Sequence, residues 1–320
     1  MRFTLYSGFY KHYGAVGQFS LNTAPFFLRS YMNCKDTIRI IPAQAVSSCV
    51  EKLFLRANKE LPEFVRKSIA TAKTTEKSQL GASVLTILEE NLESAKRHDI
   101  PICQDTGMAV VFVKLGRNVH ISEASLEDAI NEGVRRAYVD GLLRLSVVKD
   151  PLYDRINTGD NTPAVIHIEM SSDPENDDKL IITAAPKGFG SENMSFIKMM
   201  TPAAGEDDIA KFVVDCVANA GSNPCPPIFV GVGIGGNFEK CALLAKKALL
   251  RESRNPDPRY ASLEDRLLFE INKLGIGPQG FGGDTTALAV MIEQAPTHIA
   301  GLPVAVNINC HVSRHETAVL

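Results

Sequence analysis

No stretch of this sequence approaches the ~18–20 consecutive apolar residues that a membrane-spanning helix needs. Neither sign of charge is in excess. Lys and Arg number 34 against 37 Asp and Glu, a formal net charge of −3, which offers no electrostatic basis for a general nucleic-acid binder. Cysteine is too sparse for a disulfide scaffold, with seven in 320 residues, an odd number. A convincing secretory signal is missing too. The default compartment is therefore reducing, where a cysteine is a buried hydrophobe, a nucleophile or a metal ligand. Internal repeats, low-complexity segments and long linkers are also lacking. What remains is ordinary globular composition, 45% hydrophobic and 22% charged. A chain of this length buries a large core and makes two domains or one large one.

The start of the chain stands apart. Its first 46 residues hold one acid, Asp36, against Arg2, Lys11, Arg29, Lys35 and Arg39. Residues 1–42 read as an extension: an organelle transit peptide, or a start set too early with Met32 as the true first residue. The core otherwise reads as cytoplasmic, with a mitochondrion or related organelle as the destination if the extension is a transit peptide. From Ala43 the periodicity predicts three helices: one carrying Val46, Val50, Leu53 and Leu55, one opening near Pro62, and one over Ser78–Arg97. Met108–Leu115 reads as a strand, Ser125–Asp140 as a helix, and Val165–Met170 with Leu180–Thr183 as two strands suited to a hairpin. Helices over Asp207–Ala220, Phe238–Leu250 and Leu263–Leu274 alternate with strands at Ile228–Val232, Leu288–Ile292 and Val304–Ile308. The fold class is α/β, or a mixed α+β arrangement, with a helical N-terminal part. Residues 43–320 are expected to form one catalytic unit with room for two lobes.

Four segments carry candidate chemistry. Ile100–Gly107 (IPICQDTG) sets the thiol of Cys103 beside Gln104 and Asp105 in a helix-to-strand connection; the plain alternative is a turn in which Asp105 bonds nearby N–H groups. Cys225 sits among prolines in Asn223–Pro227, a stiff segment from which backbone donors are missing. Iron–sulfur ligands often adjoin proline, yet a small buried residue before a strand fits as well. Gly231–Gly236 matches G-x-G-x-x-G, but no strand ending in an acid follows its helix. Tight helix–strand packing or a backbone anion site suits it better than a nicotinamide dinucleotide. The last segment, Pro296–His311, ends on Cys310 and brings His298, His311 and His315 into range. Its H-x₃-H pair has no C-x-x-C partner, so zinc is disfavoured. Three thiols in three loops fit a cubane cluster that leaves one iron without a protein ligand, free to act as a Lewis acid. Spacing by itself does not establish one.

The order of long segments does more. IPICQDTGMAVVFV, INEGVRRAY, NTGDNTPAVIHIE, APKGFGSENMS, the run NPCPPIFVGVGIGGNFEKCALLAKKALLR, GIGPQGFGGDTTALAV and PTHIAGLPVAVNINCH together resemble the alpha-type catalytic domain of the iron–sulfur hydro-lyases, class I fumarase and L(+)-tartrate dehydratase. The resemblance spans about Ala43 to Leu320. It implies a [4Fe–4S] cluster held by Cys103, Cys225 and Cys310, with Asp105 and His298 catalytic. It also implies substrate contacts from Gln104, Arg144 and the Lys187, Gly188 and Gly190 loop. Cys34, Cys49, Cys216 and Cys241 match no ligand position and read as structural.

The implied substrate is a small four-carbon dicarboxylate, fumarate hydrated reversibly to malate, with L(+)-tartrate as the close alternative. The implied partner is a separate beta-type subunit, because no residue here suits the proton-abstracting base and the chain stops soon after the third cysteine. Two copies of each chain, and loss of activity in air, follow from the same resemblance. The distant alternatives are a nicotinamide-linked dehydrogenase and a non-catalytic iron–sulfur scaffold.

Overall fold

The computed structural model describes residues 38–320, so the expectations for the basic extension lie outside the described residues, apart from its last few positions. Strand β1 (Arg39–Pro42) leads into α1 (Ala43–Lys59), whose buried stripe is Val46, Val50, Leu53, Phe54 and Ala57. Helices α2 (Glu63–Thr75) and α3 (Gln79–His98) follow, so the helical start is observed. Ser78 caps α3 by accepting the Gly81 N–H, and Asp99 in the left-handed region ends it two residues ahead of Pro101. Among the described residues no helix is long and apolar enough to cross a membrane.

Two four-stranded mixed sheets organise the rest. In the first, β2 (Met108–Leu115) pairs antiparallel with β5 (Leu180–Lys187) and parallel with β4 (Val165–Met170), and β10 (Glu316–Val319) extends the sheet beyond β5. The expected hairpin of β4 and β5 is therefore corrected: β2 lies between them, and residues 171–179 pass around its end. The turn-rich sequence there signals a reversal, but strand pairing is decided by which apolar faces meet. A short parallel pair joins β1 to β3 (Val119–Ser122). Helices α1 and α4 (Leu126–Val139, capped by Ser125) cover one face of this sheet with Val46, Phe54, Ile130, Val134 and Tyr138.

In the second sheet the order is β6–β9–β7–β8, with β7 (Ile228–Gly236) central, parallel to β8 (Ala287–Thr297) and antiparallel to β9 (Leu302–Asn309). Edge strand β6 (Phe196–Met200) follows a four-residue helical turn, α5 (Phe189–Glu192). Every residue of β7 from Ile228 to Ile234 is buried, as a strand covered on both faces requires. One face packs on α6 (Glu206–Ala220) and α8 (Pro258–Asn272) through Val213, Val217, Leu267 and Ile271.

The other face of β7 packs on α7 (Phe238–Ala248), and here the glycine motif finds its explanation. Gly231 and Gly233 lie inside β7, not in a loop after it. A Cβ at these positions would fall 2.1 Å from the Ala245 carbonyl oxygen and 2.0 Å from that of Cys241. The helix backbone rests on the strand backbone, and only hydrogen fits between them.

Candidate active site

The turn that delivers the first thiol, Cys103–Gly107, precedes β2 and is held from both sides. Ile102 N–H donates to the Asn58 carbonyl at 2.9 Å, and Asn91 Nδ2 donates to the Ile102 carbonyl at 2.9 Å, so the turn hangs between α1 and α3. Downstream, the fully buried Tyr138 directs its hydroxyl at the carbonyls of Thr106 (2.9 Å) and Gly107 (3.0 Å). Asn161, also fully buried, donates to the Gly107 carbonyl at 3.2 Å while its Oδ1 accepts the Ser146 N–H at 2.7 Å. Thr106 Oγ1 accepts the Arg144 N–H at 3.0 Å and donates to the Arg144 carbonyl at 3.2 Å. That clamp sets Arg144 beside the turn with its side chain exposed; Gln104 is exposed as well.

Asp105 does two things. Oδ1 accepts the Gly107 N–H at 3.0 Å, which is the local turn; Oδ2 accepts the Phe189 N–H at 2.9 Å, which ties the turn to the far end of β5. Gly107 has φ +82, and a Cβ there would lie 2.8 Å from Lys187 N. Lys187, the last residue of β5, turns its ammonium inward to the Ile308 carbonyl (2.8 Å), Ser191 Oγ (2.9 Å) and Glu192 (3.3 Å). Burial lowers its pKa to about 8, against the pull of Glu192. Burial opposes ionisation of Glu192 too, but Lys187 and Lys246 outweigh it and hold that carboxyl below the usual range. What the segment leaves open is backbone. A Cβ on Gly188 would sit 3.2 Å from Asp105 Oδ2, and one on Gly190 would sit 3.8 Å from the Asn223 carbonyl oxygen. The loop thus lies between the Cys103 turn and the Cys225 segment.

Cys225 is exposed, with φ 55. Its N–H donates to the Ser222 carbonyl at 3.0 Å, and its carbonyl accepts from His311 Nδ1 at 3.1 Å. Gln279, in the glycine-rich stretch 275–283, donates to the Pro226 carbonyl from both its N–H (2.7 Å) and its Nε2 (2.8 Å). Cys310 follows β9, and the Phe229↔Asn309 pairing brings it to the sheet end where Cys225 precedes β7. Cys103 and Cys310 share an apolar cluster with Ile102, Phe229 and Val312. Burial first, then the neighbouring Cys103 and Asp105, push the Cys225 thiol up. Burial raises Cys310 as well, with Cys103 adding to it while Arg314 and Lys187 pull the other way. Cys103 thus acts on each of the other two thiols. Among the described residues, however, no three His, Cys, Asp or Glu side chains converge as a single ion would need. His311 is spent on Cys225, and His315 pairs with Glu252 at 3.3 Å, so the H-x₃-H spacing makes no pair.

His298 is the exception. It lies past Thr297, which pairs with Gly236 at the end of β7 opposite Ile228. Eight strand steps, roughly 25 Å, separate that end from the thiols. The expectation that His298 stands beside them is not met within this chain. Its Nδ1 accepts the Ala300 N–H at 3.1 Å in an exposed turn. Cys216 and Cys241 are buried, Cys216 with its pKa raised to about 12, chiefly by burial, and Cys49 is half-buried; Cys34 lies outside the described residues. A cleft of about 410 Å³ lined by Phe112, His167 and Lys247 contains none of the predicted residues.

The sequence profile of the fumarate hydratase (Fumerase) family matches residues 47–319. The chain belongs to the fumarate hydratase family. A Methanocaldococcus jannaschii protein provisionally named L(+)-tartrate dehydratase subunit alpha is 44% identical to this fumarate hydratase family member over 274 residues, 84% of this chain and 95% of its own. The L(+)-tartrate dehydratase subunit alpha of Escherichia coli K12 is 35% identical over 260 residues, 80% of this chain and 84% of its own. Membership makes the chain a hydro-lyase. Sequence reasoning missed Tyr138, Thr106 and Asn161 as builders of this family member's site. Each lies inside a segment that carries the family resemblance, IPICQDTG, INEGVRRAY or NTGDNTPAVIHIE, without a role being read for it there. Arg314, four residues beyond Cys310, was the nearest to a legible signal.

Proposed function

We propose that this chain is the alpha-type half of a [4Fe–4S] hydro-lyase that adds water to fumarate, or removes it from malate, at a site holding Cys103, Cys225 and Cys310. The observation that carries this reading is that Cys103 and Cys310 share one apolar cluster while the Phe229↔Asn309 pairing brings Cys310 to the sheet end that Cys225 precedes, with Asp105 tied to the Cys103 turn and Arg144 clamped beside it. Further support is a buried guanidinium, Arg314, whose charge reaches Cys310 and whose two unpartnered donors suit an anionic group. When bound, the cluster supplies a Lewis-acidic iron that makes a hydroxyl a workable leaving group.

The chain's own residues do the rest. Arg144 offers a planar pair of donors to a substrate carboxylate. Asp105 accepts one backbone N–H at each oxygen and keeps a second lone pair on each for a substrate proton. The Gly188–Gly190 backbone bounds the opposite side. Arg144→Lys keeps the charge and loses the fork; kcat/KM for the dicarboxylate is expected to fall roughly 10–100-fold, mostly in KM. Steady-state kinetics check this, and an unchanged KM removes Arg144 from the site.

The proton-abstracting base belongs to a beta-type partner. Leu142, Phe189 and Phe281 stand 87%, 46% and 62% exposed beside Arg144, Gly188 and Gln279, an apolar rim suited to a protein face. The relatives' names, which call them alpha subunits, point the same way and favour a second reading in which L(+)-tartrate is the substrate. The deciding assay uses anaerobically reconstituted chain, alone and co-expressed with a beta-type chain from the same source, on fumarate, malate and L-tartrate. Turnover is expected only from the pair. Full activity from this chain alone overturns the subunit reading, and faster turnover of tartrate selects the second substrate.

A further inference from the structure

Arg314 lies between β9 and β10 and is 4% exposed. Its Nη2 donates to the Asp105 carbonyl. Its Nε and Nη1 are buried and have no hydrogen-bond partner among the described residues. Nor does any carboxylate among them pair with it. Its charge nonetheless reaches Cys310, Tyr138 and His311. A lysine so placed could shed its proton; a guanidinium cannot. A fixed buried charge left unpaired is strongly destabilising, and buried donors without acceptors are rare in native folds. The fold therefore holds a permanent cation, with two donors to spare, against one of its thiols. Three thiolates around an iron–sulfur core are the anion that would complete it.

We propose that Arg314 is a positioning residue of the cluster, its Nε and Nη1 donating to sulfur on the Cys310 side while Nη2 fixes the Asp105 carbonyl. One side chain then couples the charge balance at the cluster to the placement of the Asp105 turn. This rests on the three-thiol reading above. Donation to sulfur stabilises the reduced cluster and raises its potential, and groups behind the ligands set metal retention by about 10–100-fold.

The experiment compares full-length wild type, Arg314→Met, Arg314→Lys and Cys225→Ser, each prepared without iron and then reconstituted anaerobically with iron and sulfide. Three quantities are read: the thermal midpoint before reconstitution, the rate of iron loss to a chelator, and the midpoint potential of the cluster followed by electron paramagnetic resonance. Arg314→Met is expected to leave the iron-free midpoint unchanged or raise it, since an unpaired buried charge is gone. After loading it is expected to lose iron about tenfold faster or more, with a lower potential, and Arg314→Lys should fall between it and wild type. A Met variant with a lower iron-free midpoint but wild-type retention and potential makes Arg314 a mere brace of the Asp105 turn and overturns the proposal. If the Met variant does not fold, Arg314→Lys decides: wild-type retention and potential overturn the proposal, while faster iron loss with a lowered potential supports it. Wild type that takes up no cluster, or Cys225→Ser that keeps a full one, brings down the three-thiol reading instead, and the Arg314 proposal with it.

Discussion

Cys225→Ser is expected to give a stable chain that no longer retains a full cluster. Position 225 is exposed, so an oxygen for a sulfur there changes stability by no more than about 0.5 kcal/mol. A serine oxygen is a poor substitute for a thiolate toward iron, and of three ligands two remain. Iron and acid-labile sulfide are expected to fall from about four each per chain to well below half. Turnover by the complete enzyme should become unmeasurable, while the thermal midpoint of the iron-free chain stays put. Cys216→Ser is the matched control. That thiol is buried between α6 and the second sheet, in a different apolar cluster from Cys103 and Cys310, so iron content is expected to hold. Full iron in Cys225→Ser, or loss of iron in Cys216→Ser, would remove Cys225 from its assigned role.

Gly233→Ala has the opposite character: a large loss of stability with no ligand touched. The new Cβ meets the Cys241 carbonyl oxygen at 2.0 Å and the Ala245 nitrogen at 2.6 Å. Both are backbone atoms of α7, so no side chain can swing aside. The helix must lift from β7, opening the contacts of Leu244, Ala245 and Ala248. Overpacking of this kind costs about 3 kcal/mol, which for a chain this size lowers the melting midpoint by roughly 6–12 °C. Calorimetry or circular-dichroism melting reads it directly. A midpoint within 2 °C of wild type, on an estimated 2–4 °C per kcal/mol, would mean that α7 does not rest on β7. Tight binding of a dinucleotide by the wild type would separately revive the nucleotide reading of this motif.

The helices and long strands were legible because each carries its own periodicity and caps: Ser78 before α3, Ser125 before α4, the β-branched run of β2. The extent of β7 was not. Glycine reads as a break in a strand, so the expected strand stops at Val232, although the tight helix–strand packing expected of this motif is what α7 makes over Gly231 and Gly233. The order of β4, β2 and β5 was illegible for a related reason, since pairing is settled by faces that meet only in three dimensions. In the site, Cys103 with Asp105 and Cys225 stand out locally, as Cys beside Gln-Asp in a turn and Cys among prolines, whereas Cys310 and the grouping of the three rest on the family resemblance. Tyr138 and Asn161 act on the same turn across 32 and 54 residues, a separation at which one sequence carries no sign of contact. His298 shows the converse. Its motif reads clearly, but β8 carries it to the wrong end of the sheet for this chain's own thiols.

The cysteines are divided between the two sheets. Cys103 leads into β2 of one, whereas Cys225 and Cys310 flank β7 and β9 of the other. Near the site the seam between them is stitched by Lys187 to the Ile308 carbonyl and by Arg314 to the Asp105 carbonyl. A group bound to all three thiols is therefore also a rivet through that seam. On the cluster reading, loading the chain is expected to raise its thermal midpoint by tying the two sheets together, and melting curves taken before and after reconstitution read this directly.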